Sequence, residues 1–289
     1  MSAPLFYESH LHTPLCKHAH GEPEEYAAVA LEKNFAGIIV TCHNPIPGGY
    51  SARVRMDEEE FETYLAVVER ARAAWEGRLD VRLGLECDYA PGLERDVEKL
   101  LQRAHFHHIL GSVHPQVPEY RSLYRTGTWL DFQRTYFDHL AGAAETGLFD
   151  TISHPDLVKN EAPREWILER ILPTILHTLD RIAATGVAME LNTSGINKTI
   201  PEMNPGPVIL REMALRKIPV VIGADAHIPQ RVGDGYAEAL QLLREAGYET
   251  VNFFLNRKRQ EFPIALAEAS LTSGGQTAGL VNGNGKHCV

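Results

Sequence analysis

Short apolar runs rich in β-branched residues alternate along the chain with longer stretches whose apolar positions fall at helical spacing. That alternation predicts βα repeats around a parallel sheet. The runs predict strands over 5–9, 37–41, 81–85, 108–112, 149–153, 187–191 and 219–223, and a last short strand over 251–255. Gly37-Ile-Ile-Val-Thr41 is nearly continuous in apolar residues, as a strand covered on both faces should be. Helices are predicted over 22–34, 57–75, 93–103, 129–146, 204–216, 235–246 and 263–269. In the clearest of them Phe61, Leu65 and Val68 share one face. The stretch 163–185 is also helical, with a kink or break expected at Pro173. Segments 44–55 and 115–127 read as loops, and the length of the first marks it as a candidate active-site loop. No composition shift marks a linker, so one domain is expected over 1–269. From Ser270 the residues turn to Gly, Ser, Thr and Asn, which predicts a flexible tail over 270–289.

Composition narrows the function. With 289 residues, 44% hydrophobic and 23% charged, the chain fits a soluble globular protein. No run approaches the ~18 apolar residues of a membrane span. The start, Met-Ser-Ala-Pro-Leu-Phe-Tyr-Glu, lacks a basic region and a long apolar stretch, so a cytoplasmic location is expected. A formal net charge of -10 argues against a nucleic-acid surface. An anionic substrate then requires metal ions or a few cations to dominate the local field. Cys16, Cys42, Cys87 and Cys288 form no CxxC pair and are expected to be free thiols, the first three as small buried packing residues.

The chemistry gathers at the strand ends. Glu8 to His20 holds His10, His12, His18 and His20. Residues i and i+2 of an extended strand point to one side, so His10 and His12 can face one metal ion. Alone, such a pair is equally consistent with polar residues at a strand end. The later strands, however, deliver His43, Glu86, His114, His154, and finally Asp225 with His227. The sixth ends in Asn192-Thr193-Ser194-Gly195 instead. In a closed barrel every strand C-terminus opens on one face. Metal-ligand types at six of seven strand ends therefore predict a metal cluster. His105, His107 and His108 fall at the opposite end, and His139 and His177 fall in helices, so these five are assigned to surface or core.

These pieces resemble the polymerase-and-histidinol-phosphatase (PHP) superfamily, and most closely its histidinol-phosphate phosphatase branch. The matching motifs are His-Leu-His-Thr-Pro-Leu-Cys-Lys-His at 10–18, Thr-Cys-His-Asn-Pro-Ile-Pro at 41–47 and Gly-Leu-Glu-Cys-Asp-Tyr-Ala-Pro-Gly at 84–92. They continue with Gly-Ser-Val-His at 111–114, Phe-Asp-Thr-Ile-Ser-His-Pro-Asp-Leu at 149–157, Glu-Leu-Asn-Thr-Ser-Gly at 190–195 and Gly-Ala-Asp-Ala-His at 223–227. The resemblance implies an α/β fold, a distorted (β/α)7 barrel with a trinuclear metal centre at the C-terminal strand ends. It puts His10, His12, Glu86 and Asp225 on one ion. Glu86 bridges to a second held by His114 and His154, and His18, His43 and His227 hold the third. His20 is extra to the motif and is left out. Zinc, iron and manganese all suit such ligands.

The activity implied is hydrolysis of L-histidinol phosphate to L-histidinol and phosphate, in histidine biosynthesis, by attack of a metal-bridging hydroxide. Asp225 and His227 are the catalytic candidates, with Asp225 or a metal-bound water supplying the leaving group's proton. Lys159 and Lys198 follow the His-Pro-Asp-Leu and Asn-Thr-Ser-Gly segments where the family places basic residues. Asn160 and Asn197 stand where arginine is common, so Arg231, Arg164, Arg53 and Arg55 are further candidates for gripping phosphate. Asp88, and Glu119 after it, are candidates for the substrate's ammonium group. Two other readings stay open: a related phosphoesterase acting on nucleotides or other small esters, and a metal-binding domain without activity.

Overall fold

In the computed structural model, which describes residues 4–275, the strands follow one another across the sheet in chain order. They are β1 (Tyr7–Glu8), β2 (Gly37–Val40), β3 (Asp80–Asp88), β4 (His108–Ser112), β5 (Thr151–Ile152), β6 (Ala188–Asn192), β7 (Val220–Gly223), β8 (Thr250–Leu255) and β9 (Lys258–Pro263). All pair in parallel as far as β8, and β9 returns antiparallel. The helices are α1 (Pro23–Glu32), α2 (Phe61–Ala74), α3 (Glu94–Leu101), α4 (Pro118–Tyr124), α5 (Trp129–Glu145), α6 (Leu168–Thr185), α7 (Pro207–Leu215), α8 (Tyr236–Ala246) and α9 (Ile264–Gly275). No helix among the described residues is long and apolar enough to cross a membrane.

Closure occurs just past the end of β1. Leu11 bridges in parallel to Ala226, with His12 N donating to Ala226 O at 3.0 Å and Ala226 N donating to His10 O at 2.9 Å. The seven strands β1–β7 thereby form a distorted barrel whose helices cover the outside. A second bridge, His43 to Glu86, continues the β2–β3 pairing beyond β2 and sets these two side chains next to each other. The strand interiors are apolar because both faces are covered: β2, β4, β6 and β7 are buried at every position. Helices answer with one apolar face, as Phe61, Tyr64, Val68 and Ala71 do in α2.

Four details depart from the sequence expectation. The ninth strand was not foreseen, because its turn, Asn256-Arg257, has no glycine although both residues have positive φ (52° and 59°). Such a two-residue turn normally advertises itself as Asn-Gly. Here the Arg257 Nε donates to both Asp150 carboxylate oxygens at 3.1 Å and Nη2 donates to Leu148 O at 2.6 Å, which fixes the residue in place. Segment 115–127 is not all loop, since Pro118 starts α4 at a position where its missing N–H costs nothing. Helix α6 runs unbroken through Pro173, near its first turns, and the interruption falls earlier, between Glu165 and Leu168. Helix α9 continues past Ala269 to Gly275 and buries Ser270, whose Oγ accepts from Leu5 N at 3.2 Å. The rest of the expected tail, with His287 and Cys288, lies outside the described residues.

Candidate metal centre

The C-terminal strand ends bring seven imidazoles into a closed circle. Successive ring centroids are 5.4 Å apart from His10 to His12, 4.0 Å to His227, 4.5 Å to His18, 5.5 Å to His43, 5.1 Å to His114, 4.9 Å to His154 and 6.0 Å back to His10. Glu86 stands inside it. Its Oε1 lies 3.1 Å from His154 Nε2, 3.4 Å from His114 Nε2 and 3.5 Å from His10 Nε2. Its Oε2 lies 2.8 Å from His43 Nδ1 and 3.6 Å from His12 Nε2. Asp225 Oδ1 completes the group at 3.1 Å from His12 Nε2.

Two of these residues hold unusual backbone. His154 and Asp225 both have positive φ, 27° and 49°. A side-chain-bearing residue there costs on the order of 1–3 kcal/mol, a cost that is retained mostly at functional sites. Gly223 is needed for a related reason: a Cβ there would collide with the Glu190 carboxylate and the His10 Cβ.

Outer partners orient the rings. His10 Nδ1 meets Glu190 Oε1 at 2.6 Å, and His114 Nδ1 meets Asp88 Oδ1 at 2.8 Å. Carbonyls serve two others, Cys16 O for His18 and Asp225 O for His227. Burial opposes charge on Glu86, yet His43, His10 and His114 together hold its carboxyl well below the usual range. Burial lowers His43 to about 4 and also pushes His227 down, so both offer neutral nitrogens. Against the same burial, Asp88 and Glu86 raise His114 to about 10.

The donor set fits metal. His10 Nε2, His43 Nδ1 and Glu86 Oε2, turned toward one another, are buried and make no well-directed hydrogen bond. Leaving a buried polar atom unpaired costs about 1–3 kcal/mol, so several in one cluster call for a cation. His18 Nε2 and His227 Nε2 face each other at 2.9 Å, an approach that needs a proton or a shared cation between two lone pairs. Groups whose ligand atoms all lie within 4.8 Å of one another include His10–His12–Glu86, His43–Glu86–His114 and His12–His43–His227.

A cavity of about 520 Å³ opens onto the circle, lined by His18, His43, Glu86, His114, His154, Asp225 and His227 on one side. Val54, Val117, Pro118 and Leu157 supply its apolar wall, and Arg55 and Lys198 its cations. All nine expected ligands therefore meet at one face. His20 stays exposed outside the cavity wall.

The expected substrate contacts fare unevenly. Lys159 is fully buried, donating to Asp156 Oδ2 and Glu202 Oε1, each at 2.9 Å, so it braces two loops and does not reach the cavity. Asp88 is also buried, taken by Arg55 Nη2 at 2.6 Å and by His114, which leaves it no face for a substrate ammonium. Arg231 pairs with Asp234 at 3.4 Å and is not part of the cavity wall. Lys198 does line the cavity. Glu190 and Glu8 were missed. Glu190 also accepts from His154 N at 2.9 Å, and Glu8 accepts from the backbone of His10, Ala224 and Gly233. Both are carboxylates inside apolar strand runs, and a buried carboxylate without a visible partner was the available signal.

The sequence profile of the PHP domain matches residues 8–194, and the chain belongs to this family. A Deinococcus radiodurans protein named "probable histidinol-phosphatase" is 41% identical over 259 residues, covering 88% of this chain and 98% of that one. The Bacillus subtilis histidinol-phosphatase is 26% identical over 274 residues, covering 81% of this chain and 98% of its own. The fold agrees with a crystal structure of Lactococcus lactis histidinol phosphate phosphatase complexed with zinc, L-histidinol and phosphate: TM-score 0.72, 17% identity, 88% of this chain and 98% of that one.

Proposed function

We propose that this protein is a metal-dependent phosphomonoesterase of the cytoplasm that hydrolyses L-histidinol phosphate to L-histidinol and phosphate. The observation that carries the reading is the circle of imidazoles around Glu86 at the floor of a small cavity, with the orphaned His10 Nε2 and His43 Nδ1 turned to Glu86. The 41% identity to a relative of that name supports the substrate. A cavity of about 520 Å³ suits a small organic ester.

His10, His12, Glu86 and Asp225 would hold one ion, Glu86, His114 and His154 a second, and His18, His43 and His227 a third. Divalent ions bound there supply Lewis acidity toward phosphate oxygens and lower the pKa of bound water. The chain's own residues do the rest. Lys198, the cavity-wall cation without an ion pair among the described residues, meets the phosphate charge. Arg55 is tied to Asp88 and serves the wall through its position. Val54, Val117, Pro118 and Leu157 receive the apolar edge of the imidazole. Asp225, at the cavity wall and accepting from Ser194 Oγ at 3.1 Å, is ionised and relays a proton from water to the departing alkoxide.

A panel of phosphomonoesters assayed with metal-reconstituted protein tests the substrate. Histidinol phosphate should turn over best, and a nucleoside monophosphate turning over faster would refute the assignment. Lys198→Ala should raise KM for histidinol phosphate several-fold with kcat less affected.

A further inference from the structure

His12 differs from the other members of the circle in what lies behind it. His10, His18, His114 and His227 each turn Nδ1 to an oxygen. His12 turns Nε2 to Asp225 and Glu86, while its Nδ1, on a completely buried side chain, has no hydrogen-bond partner other than the Cys42 sulfur. Two sulfurs stand near. His12, Cys16 and Cys42 offer ligand atoms that all lie within 4.8 Å of one another, and both cysteines are fully buried and free. Donors are directed at these sulfurs. Thr13 Oγ1 donates to Cys42 Sγ at 3.2 Å, and the backbone N–H groups of His18 and Ala19 face Cys16. Cys42 also bonds to His12 and to Cys16, so the three groups already face one another, and Thr13 O lies 3.7 Å from Cys42 Sγ.

We propose that Cys16 Sγ, Cys42 Sγ and His12 Nδ1 form a second, sulfur-bearing metal site that takes a thiophilic divalent cation such as zinc or cadmium, with the His12 ring shared between it and the cluster at the cavity floor. The proposal rests on His12 serving that cluster through Nε2. Mixed thiolate and imidazole ligands are a set that zinc favours. Charge balance agrees. Each thiol releases its proton on binding, and the His12 ring, held by a cation on each nitrogen, gives up its N–H proton as well and bridges as an imidazolate. The three protons leave to water, and the three negative charges are shared between the new ion and the cluster at the cavity floor. The N–H and O–H donors then bond to thiolate sulfur. Neither cysteine lines the cavity, so the ion sits away from the substrate. Its role is to tie the loop after β1, which carries His18, to the end of β2, which carries His43.

The test uses the whole chain, stripped of metal under reducing conditions and reloaded with cobalt(II). A sulfur-to-cobalt charge-transfer band should appear in the near ultraviolet. The Cys16→Ser/Cys42→Ser double variant should lose it and bind one ion fewer per chain, while the visible bands of cobalt on nitrogen and oxygen ligands persist. If the double variant does not fold, cadmium NMR on the unaltered chain decides, where a strongly deshielded, thiolate-type resonance is expected. Visible bands without a sulfur band, or a sulfur band that survives the double substitution, overturn the second site and leave the cavity-floor cluster standing. Absence of both sets of bands overturns both. A metal-loaded chain whose Cys16 and Cys42 are joined in a disulfide also overturns the proposal.

Discussion

The two ends of the barrel both concentrate histidine, and they use it differently. At the bottom, His108 is bonded to Thr151 Oγ1 at 2.9 Å and stacked on Phe254 of the hairpin, with ring centroids 5.0 Å apart. His107 Nδ1 accepts from Asn256 N at 3.2 Å, and His105 meets the Asn256 side chain at 3.0 Å. These rings have separate tasks and share no carboxylate. At the top, seven rings surround one glutamate, several inward atoms lack partners, and His154 and Asp225 sit on left-handed backbone. The contrast teaches that histidine count does not make a metal site. Convergence of unsatisfied atoms on a common carboxylate does.

The contrast is easiest to break at the top. His12→Ala should reduce phosphate release by more than about a thousandfold, well beyond the ~10–100-fold typical of an outer-shell change, while circular dichroism reports an intact fold. Retained activity would place the chemistry elsewhere. Glu190→Gln keeps the shape and removes the charge behind His10, so metal affinity and activity should each fall by about 10–100-fold, read by competition with a chelator. If Glu190 serves folding alone, the melting temperature moves and metal affinity does not.

Arg55→Met sharpens the boundary between the ligands and their supports. It strips Asp88 of its buried partner, which against the cost of burial is held ionised first by Arg55 and then by His114. Breaking a buried pair from one side costs about 3–5 kcal/mol, so the melting temperature should fall. Chelator resistance should fall with it, because Asp88 orients His114. The smallest effect belongs to the bottom. His108→Phe removes one hydrogen bond, about 1 kcal/mol, and should leave metal content and turnover unchanged. A loss of bound metal in that variant would erase the distinction between the two ends.

Much of the site was legible before folding was considered. Parallel strands are apolar runs that stop abruptly, and the residue after the stop lies on the open face, so His43, Glu86, His114 and His154 could be picked out by position. The same logic set aside His105, His107 and His108. The supporting residues were harder. Asp88 and Lys159 read as substrate contacts because they follow ligand motifs, but proximity in sequence says nothing about which charge a buried group will meet. Arg55 comes from a loop 33 positions earlier to claim Asp88, and Glu202, 43 positions later, claims Lys159. The ninth strand escaped for another reason: its turn uses Arg257 where glycine is the usual signal, and the compensating bonds to Asp150 and Leu148 are long-range.

The sequence by itself therefore determined the βα alternation and the face on which the nine candidate metal-binding residues emerge, because these depend on local periodicity and on which residue types can bind metal. Only the tertiary structure decided that Leu11 meets Ala226 to close the barrel, that Glu190 and Asp88 stand behind His10 and His114, and that Cys16 and Cys42 lie together behind His12. Those pairings join residues up to 215 positions apart, as Leu11 and Ala226 are. They are selected by packing and by the cost of burying an unpartnered charge, which no local window of residues contains.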